Sequence, residues 1–297
     1  MNVTIKTLIV LAVYSVASVA CAADDPTPED IARYNALMQE RLDIIDMDPY
    51  ARSALALNTN APYVDRLRAI ESFAGHPEDH LDSLEALLSE PDWGLRFTAI
   101  EAVEPIRTDL AYDAAKQLVR EASLTPSASP LKIQYAIWAG DLMARMGDGS
   151  AMQFIIQRLH YAPLLSQRGT ALQALYSFYY LKDLKPYEPV VAHIDNTLPD
   201  LKSSDEKTRS AAIYHLPSAV FMLSKLHAVE TLPEFDRWME VPMPEKVRRW
   251  FETTRRDLET LKTQRENGAP DMRDDPEYKR IPGVTPAWQF PKSNAGR

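Results

Sequence analysis

Two histidines and two acidic residues lie within five positions, in the stretch His76-Pro77-Glu78-Asp79-His80. Neutral imidazoles are ligands that zinc and nickel accept, so His76 and His80 are the candidate metal ligands of the chain. Pro77, however, is typical of the first position of a helix, where Glu78 and Asp79 complement the positive end of the helix dipole. We therefore expect a helix start here and no metal or other cofactor.

Other signatures of catalysis are missing from the sequence. Gly147-Asp148-Gly149 lacks the Lys and the Ser or Thr of a phosphate-binding loop, and no nucleophile elbow occurs. The remaining histidines are scattered singly over the chain, which favours packing or surface roles over a catalytic base. If cleavage of a signal segment removes Cys21, no thiol is left for nucleophilic catalysis. The sequence therefore predicts a non-catalytic protein.

Residues 1–22 have the pattern of a secretory signal peptide. Lys6 supplies the positive charge, residues 8–20 form an almost unbroken apolar run, and the chain becomes acidic at Asp24. An apolar run of about a dozen residues is too short to span a bilayer, which favours a cleaved signal over a retained anchor. We expect a periplasmic or secreted protein.

The residues around Cys21 leave two interpretations of the cleavage open. Ala20-Cys21-Ala22 fits the small-x-small pattern for cleavage before Ala23, which gives a soluble mature chain. Val19-Ala20-Cys21 also resembles a bacterial lipobox, in which Cys21 becomes the lipidated first residue of an outer-membrane lipoprotein. Ser18 stands where that pattern usually has Leu. A membrane is an expected partner only if Cys21 is lipidated.

Composition excludes several classes of protein. The 297-residue chain is 45% hydrophobic and 25% charged, proportions typical of a globular protein. They exclude a collagen-like, a disulfide-stapled or a fully disordered chain. The net charge of −9 argues against a nucleic-acid-binding protein, which would normally carry a basic surface, so no nucleic-acid partner is expected.

Proline and glycine divide the chain into segments with helical periodicity. Pro28 and Pro49 each follow a side-chain oxygen at the N-cap position, which is typical of a helix start. Further breaks between helices are expected at Pro77, Pro91, Pro130 and Pro163. The alternating pattern of β-strands is nowhere sustained, so the sequence predicts an all-α fold.

A short motif recurs five times along these predicted helices. An Ala is followed by a branched aliphatic residue, and in four copies an Arg stands three residues before the Ala, whereas the third copy has Ile133 there. The aligned alanines, spaced 30–41 residues apart, are Ala69, Ala99, Ala136, Ala171 and Ala212. A small residue lets neighbouring helices approach closely, and one helical hairpin cannot bury its apolar face alone. The motif therefore predicts stacked hairpins.

These copies resemble HEAT-type repeats, including the short HEAT-like units of the phycobilisome-lyase class. In the clearest copy, Asp92 and Arg96 occupy the positions that serve the turn and the first helix in that family, and Asp205 and Arg209 repeat the pair. The resemblance covers roughly residues 62–240. It implies an all-α, right-handed α-solenoid of about five HEAT-like helical hairpins with N- and C-terminal capping helices.

The segments on either side of the array fit a division of the chain into an array with two caps, a signal peptide and a tail. The predicted parts are a signal peptide at 1–22, an N-terminal helical cap at 23–61, the repeat array at 62–241, a C-terminal capping helix at 242–266 and an extended Pro-containing tail at 267–297. Val247, Trp250 and Phe251 are expected on the inner face of the capping helix. Trp288 and Phe290 are candidate anchors of the tail, to the array or to a partner.

Such arrays usually bind partners, so we expect a non-catalytic scaffold for an envelope protein or peptide. In arrays of this kind the second helix of each hairpin usually lines the concave side. The candidate groove residues on those helices are Asp113, Lys116, Gln117, Arg120, Gln153 and Gln157. The lyase-type relatives leave a tetrapyrrole- or ligand-handling protein open as an alternative. Lipidation at Cys21 leaves a lipid-anchored assembly factor open as another.

Aromatic residues cluster around the end of the fourth copy. They are Tyr176, Phe178, Tyr179, Tyr180 and Tyr187. The cluster has two interpretations: it fills the core between repeats, or it anchors a protein or peptide partner. Tyr179 and Tyr180 cannot face the same side of a helix, so at least one of them is expected to be less buried.

Overall fold

The computed structural model describes residues 46–271 except 126, 163 and 182, together with Gln39, Asp43 and Ile44. Over this part of the chain it contains twelve α-helices, short 3₁₀ helices and no strand, which confirms the prediction of an all-α fold. The predicted signal peptide, Cys21 and the tail after Asp271 lie outside the described residues. Two compact units make up the fold, and the boundary between them falls after Ile106.

The first unit contains four described helices. They are α1 (Pro49–Leu57), α2 (Tyr63–Phe73), α3 (Leu81–Leu87) and α4 (Trp93–Val103). Two of them begin where the sequence predicts. The carboxylate of Asp48 accepts hydrogen bonds from the backbone N–H groups at the start of α1, and Asp92 does the same for α4. Helix α2 packs against α1 and α4, and α3 packs against α4.

The second unit contains the other eight. They are α5 (Thr108–Leu124), α6 (Pro130–Arg145), α7 (Met152–Tyr161), α8 (Leu165–Ala174), α9 (Tyr187–Thr197), α10 (Glu206–Lys225), α11 (Leu232–Met239) and α12 (Glu245–Glu266). Each packs against a neighbour in the chain: α5 on α6, α7 on α8, α9 on α10 and α11 on α12. None of the described helices is both long enough and apolar enough to cross a membrane.

The alanines of the repeated motif lie where helices meet. All five are at most 1% exposed, and they lie on α2, α4, α6, α8 and α10. Helices that carry consecutive copies pack directly within each unit, α2 on α4, α6 on α8 and α8 on α10. A Cβ at the neighbouring Gly140 would lie 3.1 Å from Ile155 Cδ1 and 3.2 Å from Ala151 Cβ. A small residue at position 140 therefore permits the close approach of α6 to α7.

The arginines of the motif share one contact. In every copy that has Arg, the guanidinium donates to a backbone carbonyl that precedes its helix. These bonds run from Arg66 to Ala56 (2.9 Å), Arg96 to Glu90 (2.7 Å), Arg168 to Ala162 (2.8 Å) and Arg209 to Ser203 (2.8 Å). Ala56 lies in the last turn of α1, and Glu90, Ala162 and Ser203 lie outside the helices, so these carbonyl groups lack a helical donor. Each Arg supplies one and thereby fastens the preceding segment to its own helix. In the third copy Ile133 is buried instead.

The last helix differs from its predicted packing at one position. Val247 and Phe251 are buried as expected, but Trp250 is 40% exposed. Its ring packs edge-on against Phe221 of α10, with the ring centroids 5.7 Å apart. Thr254 is buried in its place, because it lies three residues after Phe251 and so shares its face of the helix.

Candidate binding groove

A groove with a volume of about 790 Å³ runs between α8 and α10 in the second unit. Leu165 and Tyr176 line it from the α8 side, and Tyr214 and Phe221 line it from α10. Among the described residues of the lining, Lys225 carries the only full charge. The groove therefore presents a mainly apolar surface to solvent.

Helical spacing places these side chains along the groove. Tyr214, Ser218, Phe221 and Lys225 follow one another at intervals of three or four residues, so they share one face of α10. On α8, Gly169 borders open space, since a Cβ built there would meet nothing within 4 Å.

Several apolar residues of the lining are exposed to solvent. Leu165, Tyr176, Tyr214 and Phe221 are between 37% and 73% exposed, and Trp250 lies beside Phe221. Isolated exposed aromatics need no explanation, but a contiguous apolar patch marks a surface that gains free energy when a partner covers it. Tyrosine, phenylalanine and tryptophan also supply rigid contact area at protein interfaces.

The predicted aromatic cluster is divided between the core and the groove. Phe178 and Tyr179 are buried, Tyr180 is half-buried, and Tyr176 lines the groove. The rings of Tyr176 and Tyr179 are stacked with centroids 6.4 Å apart, so the buried residue supports the exposed one. The expectation that Tyr179 and Tyr180 differ in burial is confirmed.

Three histidines from different helices form a row beneath the groove. His215 lies at the groove floor and is 5% exposed. Its ring centroid is 6.2 Å from that of His193 on α9, which is 5.9 Å from that of His160 on α7. The Nε2 atoms of His193 and His215 are buried without a hydrogen-bond partner among the described residues. Histidines that are scattered singly along the sequence therefore lie side by side, because packing of α7, α9 and α10 brings them together.

Burial lowers the pKa of each histidine in this row. Loss of water around its imidazole is the main cause that lowers the pKa of His193 from 6.5 to about 3, and the nearby His160, His215 and Arg168 lower it further. Burial also lowers the pKa of His160 and of His215, and the positive charge of Arg168 adds to both shifts. No group of three or more His, Cys, Asp or Glu side chains is placed to hold a metal ion within the described part of the chain.

The two histidines singled out by the sequence have separate structural roles. His80 is 2% exposed, its ring stacks on Phe73 at 4.0 Å, and its Nδ1 lies 2.9 Å from Ser53 Oγ. His76 is exposed and precedes the 3₁₀ helix Pro77–His80, which begins at the predicted proline. One imidazole is thus a packing residue, while the other faces solvent.

The predicted groove residues lie on two helices. The four on α5, Asp113, Lys116, Gln117 and Arg120, are exposed and line one depression of about 500 Å³. Gln153 and Gln157 are also exposed, but they lie on α7 and do not line that depression. The structure therefore brings together four of the six, and their part in binding stays a prediction.

Sequence reasoning missed the α10 wall of the apolar groove. Tyr214 belongs to the fifth copy of the motif, yet neither it nor Phe221 stands near the aromatic cluster in the sequence. Their spacing of seven residues on one helix is the signal that would have found them. Tyr176 lines the same groove as these two residues because α8 packs against α10.

Comparison with known proteins gives no family assignment. No protein-family model matches the chain, and no curated protein matches it significantly. Fold and groove together define an all-helical protein whose neighbouring helices pack on one another and leave an apolar surface groove between two of them. Membership of the HEAT-type family stays a prediction from the repeated motif.

Proposed function

We propose that the chain is an exported HEAT-type α-solenoid of about five right-handed hairpins, which binds a protein partner in the bacterial envelope and catalyses no reaction. The observation that carries this proposal is the exposed aromatic groove between α8 and α10. Direct packing between helices with consecutive motif copies, and the repeated Arg-to-carbonyl bond, support the repeat architecture.

The groove fits an uncharged, extended peptide segment. The distance along α10 from Tyr214 to Lys225 is about 16 Å, which matches five or six residues of extended chain. Aromatic-lined grooves accept proline-containing segments, whose extended backbone is preformed and costs little entropy on binding. The hydroxyl groups of Tyr176 and Tyr214 can donate to carbonyl groups of such a segment. The partner should therefore present aromatic, aliphatic or proline side chains.

Substitution of both Tyr214→Ala and Phe221→Ala should weaken partner capture at least tenfold, because the variant lacks two rigid aromatic anchors of the groove. Both side chains are substantially exposed, so the melting temperature should change little. The measurement is recovery of the partner from the envelope fraction after crosslinking in cells. Tyr161→Ala is the matched control, since Tyr161 is 82% exposed on α7 and does not line the groove. Full capture by the double variant would contradict the proposal.

The face of α5 is a second candidate surface for the same function. Lys116 and Arg120 line the polar depression there. Reversal of both to Glu leaves the aromatic groove untouched, so we expect capture to survive. If this variant lost partner capture while the Tyr214→Ala and Phe221→Ala variant retained it, the partner site would be assigned to α5 instead.

Export is proposed from the sequence, and the mature N-terminus tests it. We expect a mature chain that begins at Ala23 in the soluble envelope fraction, because Ala20-Cys21-Ala22 fits the cleavage pattern. Mass spectrometry of the purified chain gives the first residue and any lipid on it. A lipidated Cys21, together with release from the membrane in Cys21→Ala, would establish the lipoprotein alternative. An unprocessed Met1 would overturn export by cleavage.

A further inference from the structure

We propose that residues 286–291 of this same chain occupy the groove between α8 and α10 as an internal ligand, which a partner must displace. This inference rests on the proposed function, since it gives the regulation of the same groove. It combines the composition of the groove, the point where the described chain ends and the sequence that follows.

Asp271, the last residue that the structure describes, lies beside the groove. The carboxylate of Asp271 accepts a hydrogen bond from Tyr179 Oη at 3.4 Å, and its other oxygen lies 3.4 Å from Arg265 Nη2. The ring of Tyr179 is stacked on that of Tyr176, which lines the groove. The segment after Asp271 therefore starts one aromatic ring away from the groove wall.

The segment is long enough to reach along the whole groove. Residues 272–285 connect Asp271 to Pro286. A connection of this length spans up to about 50 Å when extended, which is roughly three times the length of α10 that lines the groove. Length therefore permits residues 286–291 to lie anywhere along the groove.

The chemistry of residues 286–291 matches the lining. The sequence Pro286-Ala-Trp288-Gln-Phe290-Pro291 has no charge, and it spans about 16 Å in extended form, the length of the α10 wall. Side chains two residues apart in an extended chain point the same way, so the proposed extended bound form places Trp288 and Phe290 on one face. Proline at both ends removes two backbone N–H groups that would otherwise need partners against an apolar wall.

Residues 286–291 differ in charge from the stretch that precedes them. Residues 273–280 contain three acidic and three basic side chains, whereas 281–291 contain none. An apolar groove selects the uncharged part, because burial of unpaired charges is costly. Covalent connection through a short linker gives an effective concentration of about 1 mM, so a weak intrinsic affinity suffices for occupancy.

The test uses a fluorescent synthetic peptide with the sequence of residues 281–291, titrated into the full chain and into a Trp288→Ala and Phe290→Ala variant. We expect the variant to bind the peptide about tenfold more tightly, because its own segment no longer competes. Adding Tyr214→Ala and Phe221→Ala to that variant should abolish binding. Tyr278→Ala is the matched control, since it removes an aromatic outside 286–291, and it should bind as the unsubstituted chain does.

Two results would overturn the inference and distinguish it from the proposed function. Equal affinity of the unsubstituted chain and the Trp288→Ala and Phe290→Ala variant would show a peptide groove that residues 286–291 do not occupy. No binding to the variant would exclude this segment as a ligand. Recovery of the partner from cells would then test independently whether the groove binds a protein.

A photo-crosslinking residue at position 214 of the full chain gives a second measurement. A crosslink from position 214 to residues 286–291 within one copy supports the internal ligand, and position 161 should give none. Crosslinks that join two copies would instead assign the groove to a second chain.

Discussion

Replacement of Arg66 with Ala should lower the free energy of unfolding of the first unit by about 3–5 kcal/mol, because it leaves the carboxylate of Glu90 without its charge partner in a largely buried position. Arg66 Nη2 lies 2.6 Å from Glu90 Oε2, and the two side chains are only 8% and 15% exposed. The same guanidinium donates from Nε to the carbonyl oxygen of Ala56. The substitution thus removes one ion pair and one backbone contact. Urea denaturation followed by circular dichroism measures the loss.

Removal of both charges distinguishes two contributions to the free energy of unfolding: the penalty for a buried carboxylate without a partner, and the stabilisation by the intact ion pair. The double variant Arg66→Met with Glu90→Leu should recover most of the lost stability, because apolar side chains of similar volume need no partner. Arg249→Ala is the control: its pair with Glu245 is exposed, so we expect a change below about 0.5 kcal/mol. Equal losses in Arg66→Ala and Arg249→Ala would contradict the prediction.

Local features of the fold could be predicted from the sequence because the interactions that produce them are local. Asp48 and Asp92 bond to backbone N–H groups two or three residues later, and such capping needs only the residue and its neighbours. The buried alanines followed from repetition, since each copy places a small residue at the same position of its helix. Fold class and helix starts were therefore accessible without a structure.

Features that depend on packing between distant segments could not be predicted. His160, His193 and His215 come from three helices, and no spacing in the sequence shows that the ring of His193 lies about 6 Å from each of the other two. The partner of an Arg in the motif was equally hidden, because Arg66 lies on α2 and Glu90 follows α3. Such pairs form only after the apolar faces have fixed the helix positions.

The apolar groove lies between first helices of the motif, α8 and α10, whereas the sequence placed the candidate groove on second helices. That expectation came from the usual geometry of helical arrays. Here Tyr214 on α10 stands exposed at the edge of the groove. Surface shape depends on such individual side chains, which repeat architecture does not specify.

Acid should destabilise the second unit through the row of histidines. An unfolded chain binds a proton at His193 as the pH falls through 6.5, whereas the folded chain does so only near the lowered pKa of about 3. The unfolded state thus binds more protons between these values, so stability present above pH 6.5 is lost as the pH falls. For His193 alone the loss reaches about 2 kcal/mol at about pH 5, and the lowered pKa values of His160 and His215 act in the same direction.

The variant His193→Leu should remove most of this acid sensitivity, because leucine has a similar volume and no group that titrates. The buried Nε2 of His193 has no hydrogen-bond partner among the described residues, so the substitution breaks no hydrogen bond of that atom. The free energy of unfolding should therefore change little near neutral pH. Urea midpoints measured between about pH 7 and about pH 5 give the slope for each variant. His76→Leu, at an exposed position of the first unit, should keep the slope of the unsubstituted chain. If His193→Leu also kept that slope, other groups would have to take up the protons that destabilise the fold in acid.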